Sequence, residues 1–193
     1  MNANKYLIVG LGNIGEEYEW TRHNAGFMVV DHLVADPSAF VSSRYGSVAR
    51  LKVKNKELVA LKPSTFMNLS GNAVRYWMNE EQVPIERLLV VVDEIALPYG
   101  ELRLKAKGSA GGHNGLKHIE AILGSNLFPR LRIGVGNDYP RGKQIEFVLG
   151  QFEGEERDHF PDVCEQGAEI IRSFCLMGID RAMNIYNTHK GRK

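Results

Sequence analysis

An α/β fold in a single domain, with a central mixed, largely parallel sheet flanked by helices, is what this sequence predicts. Three observations carry the prediction. Residues 5–10 (KYLIVG) and 87–93 (RLLVVVD) are almost continuously apolar, as strands covered on both faces are. Between such runs, apolar residues recur at helical spacing, so strand and helix signals alternate along the chain. The chain has 193 residues, 44% apolar and 24% charged, which suffices for one core without disulfide or metal staples. No repeat, low-complexity tract or interdomain linker divides residues 1–193.

Taken in order, residues 5–10 form a buried strand ending in glycine. Asn24 is positioned to cap a helix through Phe27, Val30 and Leu33 that stops near Asp36 and Pro37. Residues 46–53 and 57–62 alternate around Lys54-Asn55-Lys56, which reads as a hairpin. Residues 63–68 form a loop, and Ser70 or Asn72 caps a helix carrying Val74, Trp77 and Met78. Residues 87–93 are the second buried strand, and 102–105 (LRLK) alternate as an edge or half-exposed strand. The loop 108–112 leads to a short helix through Leu116, Ile119 and Leu123, with Asn114 at its start. Residues 131–135 are a further strand, and from Glu155 one helix runs to near Tyr186.

His23, between a glycine-rich loop and the apolar stretch 27–30, is the most informative residue. Its imidazole titrates near neutrality, as a base that moves protons at physiological pH must. Asp93 ends a buried strand, where α/β sheets place functional groups, and can orient that base. Asn13, Asn68 and Asn114 sit in loops beside glycines or apolar segments and offer neutral amide donors. A base, a carboxylate and amides make a hydrolytic site that needs no side-chain nucleophile.

Rival chemistries fit less well. Gly10-Leu11-Gly12-Asn13-Ile14-Gly15 has the G-x-G-x-x-G spacing, but a dinucleotide site needs its helix to begin inside the glycines. Here an acidic, aromatic stretch, residues 16–20, comes next instead, and the helix signal begins only after Asn24. No G-x-S-x-G elbow occurs, and His113 and His118 lack metal-site spacing, so neither a metal nor a cofactor is expected. Cys164 and Cys175, eleven apart on one helical face, read as reduced core thiols. No membrane span or leader peptide is legible, and a cytoplasmic protein is expected.

A net charge of +1 conceals an asymmetry. Arg103, Lys105, Lys107, Lys117, Arg130, Arg132, Arg141 and Lys143 crowd residues 100–143, and Lys190, Arg192 and Lys193 end the chain. Residues 153–169 are as strongly acidic. Solvated faces would produce such a pattern; so would a phosphate-binding surface.

Taken together, Gly10-Leu11-Gly12-Asn13, Tyr18 with residues 21–26 (TRHNAG), residues 66–71 (FMNLSG), Asp93-Glu94, Leu97-Pro98, residues 108–116 (GSAGGHNGL), 132–136 (RIGVG) and 147–150 (FVLG) resemble bacterial peptidyl-tRNA hydrolase along essentially the whole chain. The resemblance implies a monomeric enzyme that cleaves the ester joining a peptide to the 3′ ribose of tRNA, recycling tRNA from prematurely released peptidyl-tRNA. By position it makes His23 the general base and Asp93 the group that stabilises its protonated form. Asn13, Asn68 and Asn114 position substrate and water, and Tyr18 and Phe66 contact the bound end. Lys105, Arg132 and Lys143 are expected to meet tRNA phosphates. Three departures stand out: Ile14 where the family usually has proline, Ala96 where aspartate is common, and the absence of an Arg-Pro pair from residues 137–143. The non-enzymatic alternative is an RNA-binding module in which His23 and Asp93 are structural.

Overall fold

The computed structural model describes residues 4–187. The basic tail residues Lys190, Arg192 and Lys193 lie outside that range. Among the described residues the sheet has seven strands in the order β2-β3-β4-β1-β5-β7-β6. Its middle is parallel: β1 (Lys5–Gly10) runs between β4 (Lys56–Pro63) and β5 (Leu88–Glu94), and β5 runs beside β7 (Arg130–Gly134). The flanks are antiparallel, with β2 (Val41–Ser43) and β3 (Gly46–Val53) on one side and β6 (Leu102–Lys105) on the other. This is the mixed sheet expected, parallel through its middle, with three parallel and three antiparallel pairings among the described strands.

The continuous apolar runs have a simple cause. Successive side chains of a strand point to opposite faces, and both faces are covered. Ile8, Leu89 and Val91 pack toward α1 (Ala25–Val34) and α5 (Gly154–Met177). Leu7, Val9, Val90 and Val92 pack toward α2 (Ser70–Glu81) and α3 (Asn114–Leu123). The first turn of α1 lies against bare backbone: a Cβ at Gly26 would come 2.3 Å from the Val91 carbonyl oxygen. That close approach seats the segment preceding α1 over the end of β5.

Three local expectations are corrected and one element is new. Asn24 does not cap α1; its side chain is engaged by the loop at Asn13. Neither Ser70 nor Asn72 caps α2, because α2 continues from a tight turn at Met67–Leu69 and the Ser70 hydroxyl donates to the Met67 carbonyl (2.6 Å). The long C-terminal helix is two helices. It breaks at Gly178, whose φ of +87° only glycine adopts readily, and α6 (Ile179–Tyr186) comes after it. The break turns Asn187 onto β6, where its amide pairs with the backbone N–H and carbonyl of Leu104 (3.0 and 2.6 Å). Finally, a short helix α4 (Gln144–Val148), absent from the sequence expectation, lies beside the C-terminal ends of the parallel strands.

Candidate active site

The parallel strands β1 and β5 end at a cavity of about 550 Å³. Ligands of open α/β sheets bind at such carboxyl ends, where loops diverge. Asn13 reaches it from the loop after β1, Asp93 from β5, and His23 from the turn Arg22–Asn24 before α1. Phe66 and Asn68 come from the loop before α2, and Asn114 from the first turn of α3. Tyr18 completes the set, so all seven expected catalytic and acyl-end residues line one cavity.

At its centre, Asp93 is 5% exposed and receives two imidazoles. His23 Nδ1 lies 3.0 and 2.9 Å from its two oxygens, and His113 Nε2 lies 2.9 Å from Oδ1. The two rings are 4.9 Å apart, tilted by 44°. A carboxylate only accepts, so His23 donates from Nδ1 and keeps a lone pair on Nε2, the ring edge turned from Asp93. The tautomer of His113 is set independently. The backbone N–H of Leu116 donates to its Nδ1 (3.3 Å), which keeps the ring proton on Nε2, facing Asp93.

These contacts move the titrations in opposite directions. Burial disfavours a charged His23, but the charge and hydrogen bond of Asp93 outweigh it and raise its pKa above 6.5. Burial likewise opposes ionised Asp93, yet His113 and His23 together hold its carboxyl well below the usual carboxylate range. Ligand-type atoms of His23, Asp93 and His113 lie within 4.8 Å of one another. Each imidazole nevertheless faces the carboxylate through its own N–H, so the cluster is satisfied as a hydrogen-bonded charge system.

Two contributors escape sequence reasoning. His113 stands next to Asn114, but its partner Asp93 lies 20 residues away in sequence, and only the packing of α3 against the sheet brings the two together. Asn24 closes a two-point latch on the neighbouring loop: its Oδ1 accepts from the Asn13 N–H (2.7 Å) and its Nδ2 donates to the Asn13 carbonyl (2.9 Å). Because the latch uses only backbone atoms of Asn13, the Asn13 carboxamide has no hydrogen-bond partner among the described residues and is left to the cavity. Helix α4, through Ile145 and Val148, and Leu149 just after it add an apolar wall. The helix hangs on Arg22, whose guanidinium stacks 4.3 Å over Phe147 and donates to the Phe147 carbonyl (3.2 Å).

Lys105, Arg132 and Lys143 lie outside this cavity. Lys105 is exposed on the edge strand β6, without an ion pair among the described residues, and Lys143 is exposed beside Glu146 (3.0 Å). Arg132 is largely committed within the protein, to Glu94 (2.8 Å) and the Ser109 carbonyl (2.7 Å). Arg130, counted in the basic band, is fully buried against Glu120 (3.0 Å) and over the ring of Phe128, so it belongs to the core. The two cysteines are buried on α5 as unpaired thiols, and burial pushes both up to about 12, leaving them inert.

Known proteins share this architecture. Residues 7–193 match the family model of peptidyl-tRNA hydrolase. The chain belongs to the peptidyl-tRNA hydrolase family. The peptidyl-tRNA hydrolase of Porphyromonas gingivalis is 58% identical over 184 residues, covering 95% of this chain and all of that one. That of Bacteroides fragilis is 59% identical, covering 95% of this chain and 98% of its own. In three dimensions the chain resembles crystalline peptidyl-tRNA hydrolase from Acinetobacter baumannii, with a TM-score of 0.87, 33% identity and 96% of each chain covered. Family membership makes the chain a hydrolase that acts on the ester bond of peptidyl-tRNA. No helix among the described residues is long and apolar enough to cross a membrane.

Proposed function

We propose that the chain hydrolyses the ester between a peptide, or an N-blocked aminoacyl group, and the 3′ ribose of tRNA, with His23 as general base. The observation that carries the reading is the His23–Asp93 pair at the cavity floor. Its Nδ1–H is bonded to a buried carboxylate and its Nε2 is left for water. An ester is already activated, so one base-activated water suffices. As water attacks the carbonyl carbon, Nε2 takes its proton, and Asp93 stabilises the imidazolium that forms. The tetrahedral oxyanion is met by a side-chain amide of Asn68 or Asn114. Collapse expels the ribose 3′ oxygen, which recovers a proton from imidazolium, releasing tRNA and a free carboxylic acid.

The remaining residues divide between the two halves of the substrate. Asn13 pairs with the blocked α-amide, and Tyr18 and Phe66 contact the bound end. Lys105, Lys143 and the residual donors of Arg132 meet phosphates, reading charge and shape rather than bases. The reading takes residues 1–193 as one domain acting as a monomer in the cytoplasm. Incubating the purified chain with N-acetyl-aminoacyl-tRNA tests it: wild type releases the N-acetyl amino acid, and His23→Ala is slowed on the order of a hundredfold to ten-thousandfold. Binding of tRNA without turnover in wild type would make the chain an RNA-binding module. Near wild-type turnover in His23→Ala would remove His23 from the mechanism.

A further inference from the structure

A second cavity, of about 600 Å³, lies across the Asn13 loop from the first, and Asn13 forms part of the wall of both. Its floor is aromatic and aliphatic, built from Trp20, Phe27, Met28 and Phe160. Ile14, one of the departures from the family pattern, is 58% exposed on its edge and adds apolar surface that water would otherwise meet. The rim is acidic. Asp31 is paired with Lys62 (2.6 Å), but Glu16 and Glu19 have no ion-pair partner among the described residues. An apolar floor under two uncompensated carboxylates fits a side chain that is long or aromatic and neutral or positive, and repels a negative one.

The substrate supplies an occupant. The first cavity must hold the ester, the end of the tRNA and the residue attached to it, so the rest of a peptide has to leave over one of its walls. An extended chain advances about 3.3 Å per residue, so two or three residues span the thickness of one loop. At the shared wall stands Asn13, its backbone fixed by Asn24 and its carboxamide free to pair with a passing peptide amide. We propose that the second cavity is a subsite for upstream residues of the peptide, favouring a basic or aromatic side chain third or fourth from the ester. The proposal rests on the hydrolytic reading of the first cavity and extends it to substrate preference.

The test uses N-acetylated tetrapeptidyl-tRNAs that are glycine throughout except for one Lys, Phe or Glu, moved through the second, third and fourth positions from the ester. At the third or fourth position, Lys is expected to give a KM about fivefold below Glu, the size of a partly exposed ion pair. Phe should fall below glycine at the same position. The double variant Glu16→Gln/Glu19→Gln should erase the gap between Lys and Glu while leaving N-acetyl-glycyl-tRNA, too short to reach the subsite, cleaved as before. Equal KM values for Lys and Glu at every position in wild type would overturn the subsite. A gap that survives in the double variant, or a double variant equally impaired on N-acetyl-glycyl-tRNA, would do the same. Failure of wild type to cleave even N-acetyl-glycyl-tRNA would instead strike the catalytic reading itself, and the subsite with it.

Discussion

Replacing Asp93 with asparagine keeps the shape of the site and removes one charge, and the hydrogen bonds around it set the consequence. Asp93 accepts an N–H from His23 and another from His113. Asparagine offers one oxygen and one NH₂. His113 cannot change its proton, because the Leu116 N–H holds its Nδ1 as an acceptor. It therefore claims the amide oxygen, and His23 is left facing the NH₂ group. That arrangement favours the tautomer with the proton on Nε2, which cannot act as a base. Loss of the charge-assisted bond to imidazolium alone costs about 1.5–3 kcal/mol. At about 1.4 kcal/mol per decade that is roughly 10- to 150-fold in rate. The tautomer change carries the total toward about ten-thousandfold. The assay is kcat/KM on N-acetyl-aminoacyl-tRNA from about pH 5 to about pH 9. Because Asp93 raises the His23 pKa above 6.5, the wild-type rate should climb along a limb lying above that value. In Asp93→Asn the pKa falls, so the limb moves to lower pH while the plateau drops. A second substitution, His113→Ala, frees the amide oxygen for His23 and should return part of the lost rate. An unmoved limb with a rate within about threefold of wild type would refute the coupling of Asp93 to His23.

Single contacts set the other expectations. Asn24→Ala opens the latch on the Asn13 backbone and should lower kcat/KM on the order of tenfold, read in the same assay, without unfolding the chain. Lys105→Ala/Lys143→Ala should raise KM, spare kcat and flatten the logarithmic salt dependence of tRNA binding by about one unit per lost contact; equal slopes would put the tRNA elsewhere. Arg130→Ala should cost about 3 kcal/mol in urea unfolding, by opening a cavity in the core and taking the guanidinium donor from the Asn126 and Phe128 carbonyls. The depressed carboxyl of Asp93 stabilises the fold above its ordinary value of 3.8, and that contribution is lost as pH falls toward the folded value. The stability gap between wild type and Asp93→Asn should therefore narrow in acid, as thermal melts would register.

Strand positions are legible in the sequence because a strand buried on both faces must be apolar at every residue, as β1 and β5 are over most of their length. That His23, Asp93 and the three asparagines belong together is legible chiefly through the motif blocks that carry the family resemblance. Each of them alone would serve as well as a cap, a turn residue or a satisfied core group. The C-terminal helix reads as unbroken because its apolar spacing continues through Gly178, and only a left-handed backbone angle marks the corner. Charge counting places Arg130 and Arg132 in a basic surface, since sequence records a charge but not the carboxylate folded against it. His113 and Asn24 are the sharpest cases. Each has a short, ordinary local context, and each acquires its role from a partner on another element, Asp93 at the sheet end and the Asn13 backbone across a loop. Local propensity and periodicity act over a few residues, so they fix which elements form. Which polar groups meet at their ends is decided by packing between elements, through contacts that no spacing along the chain encodes.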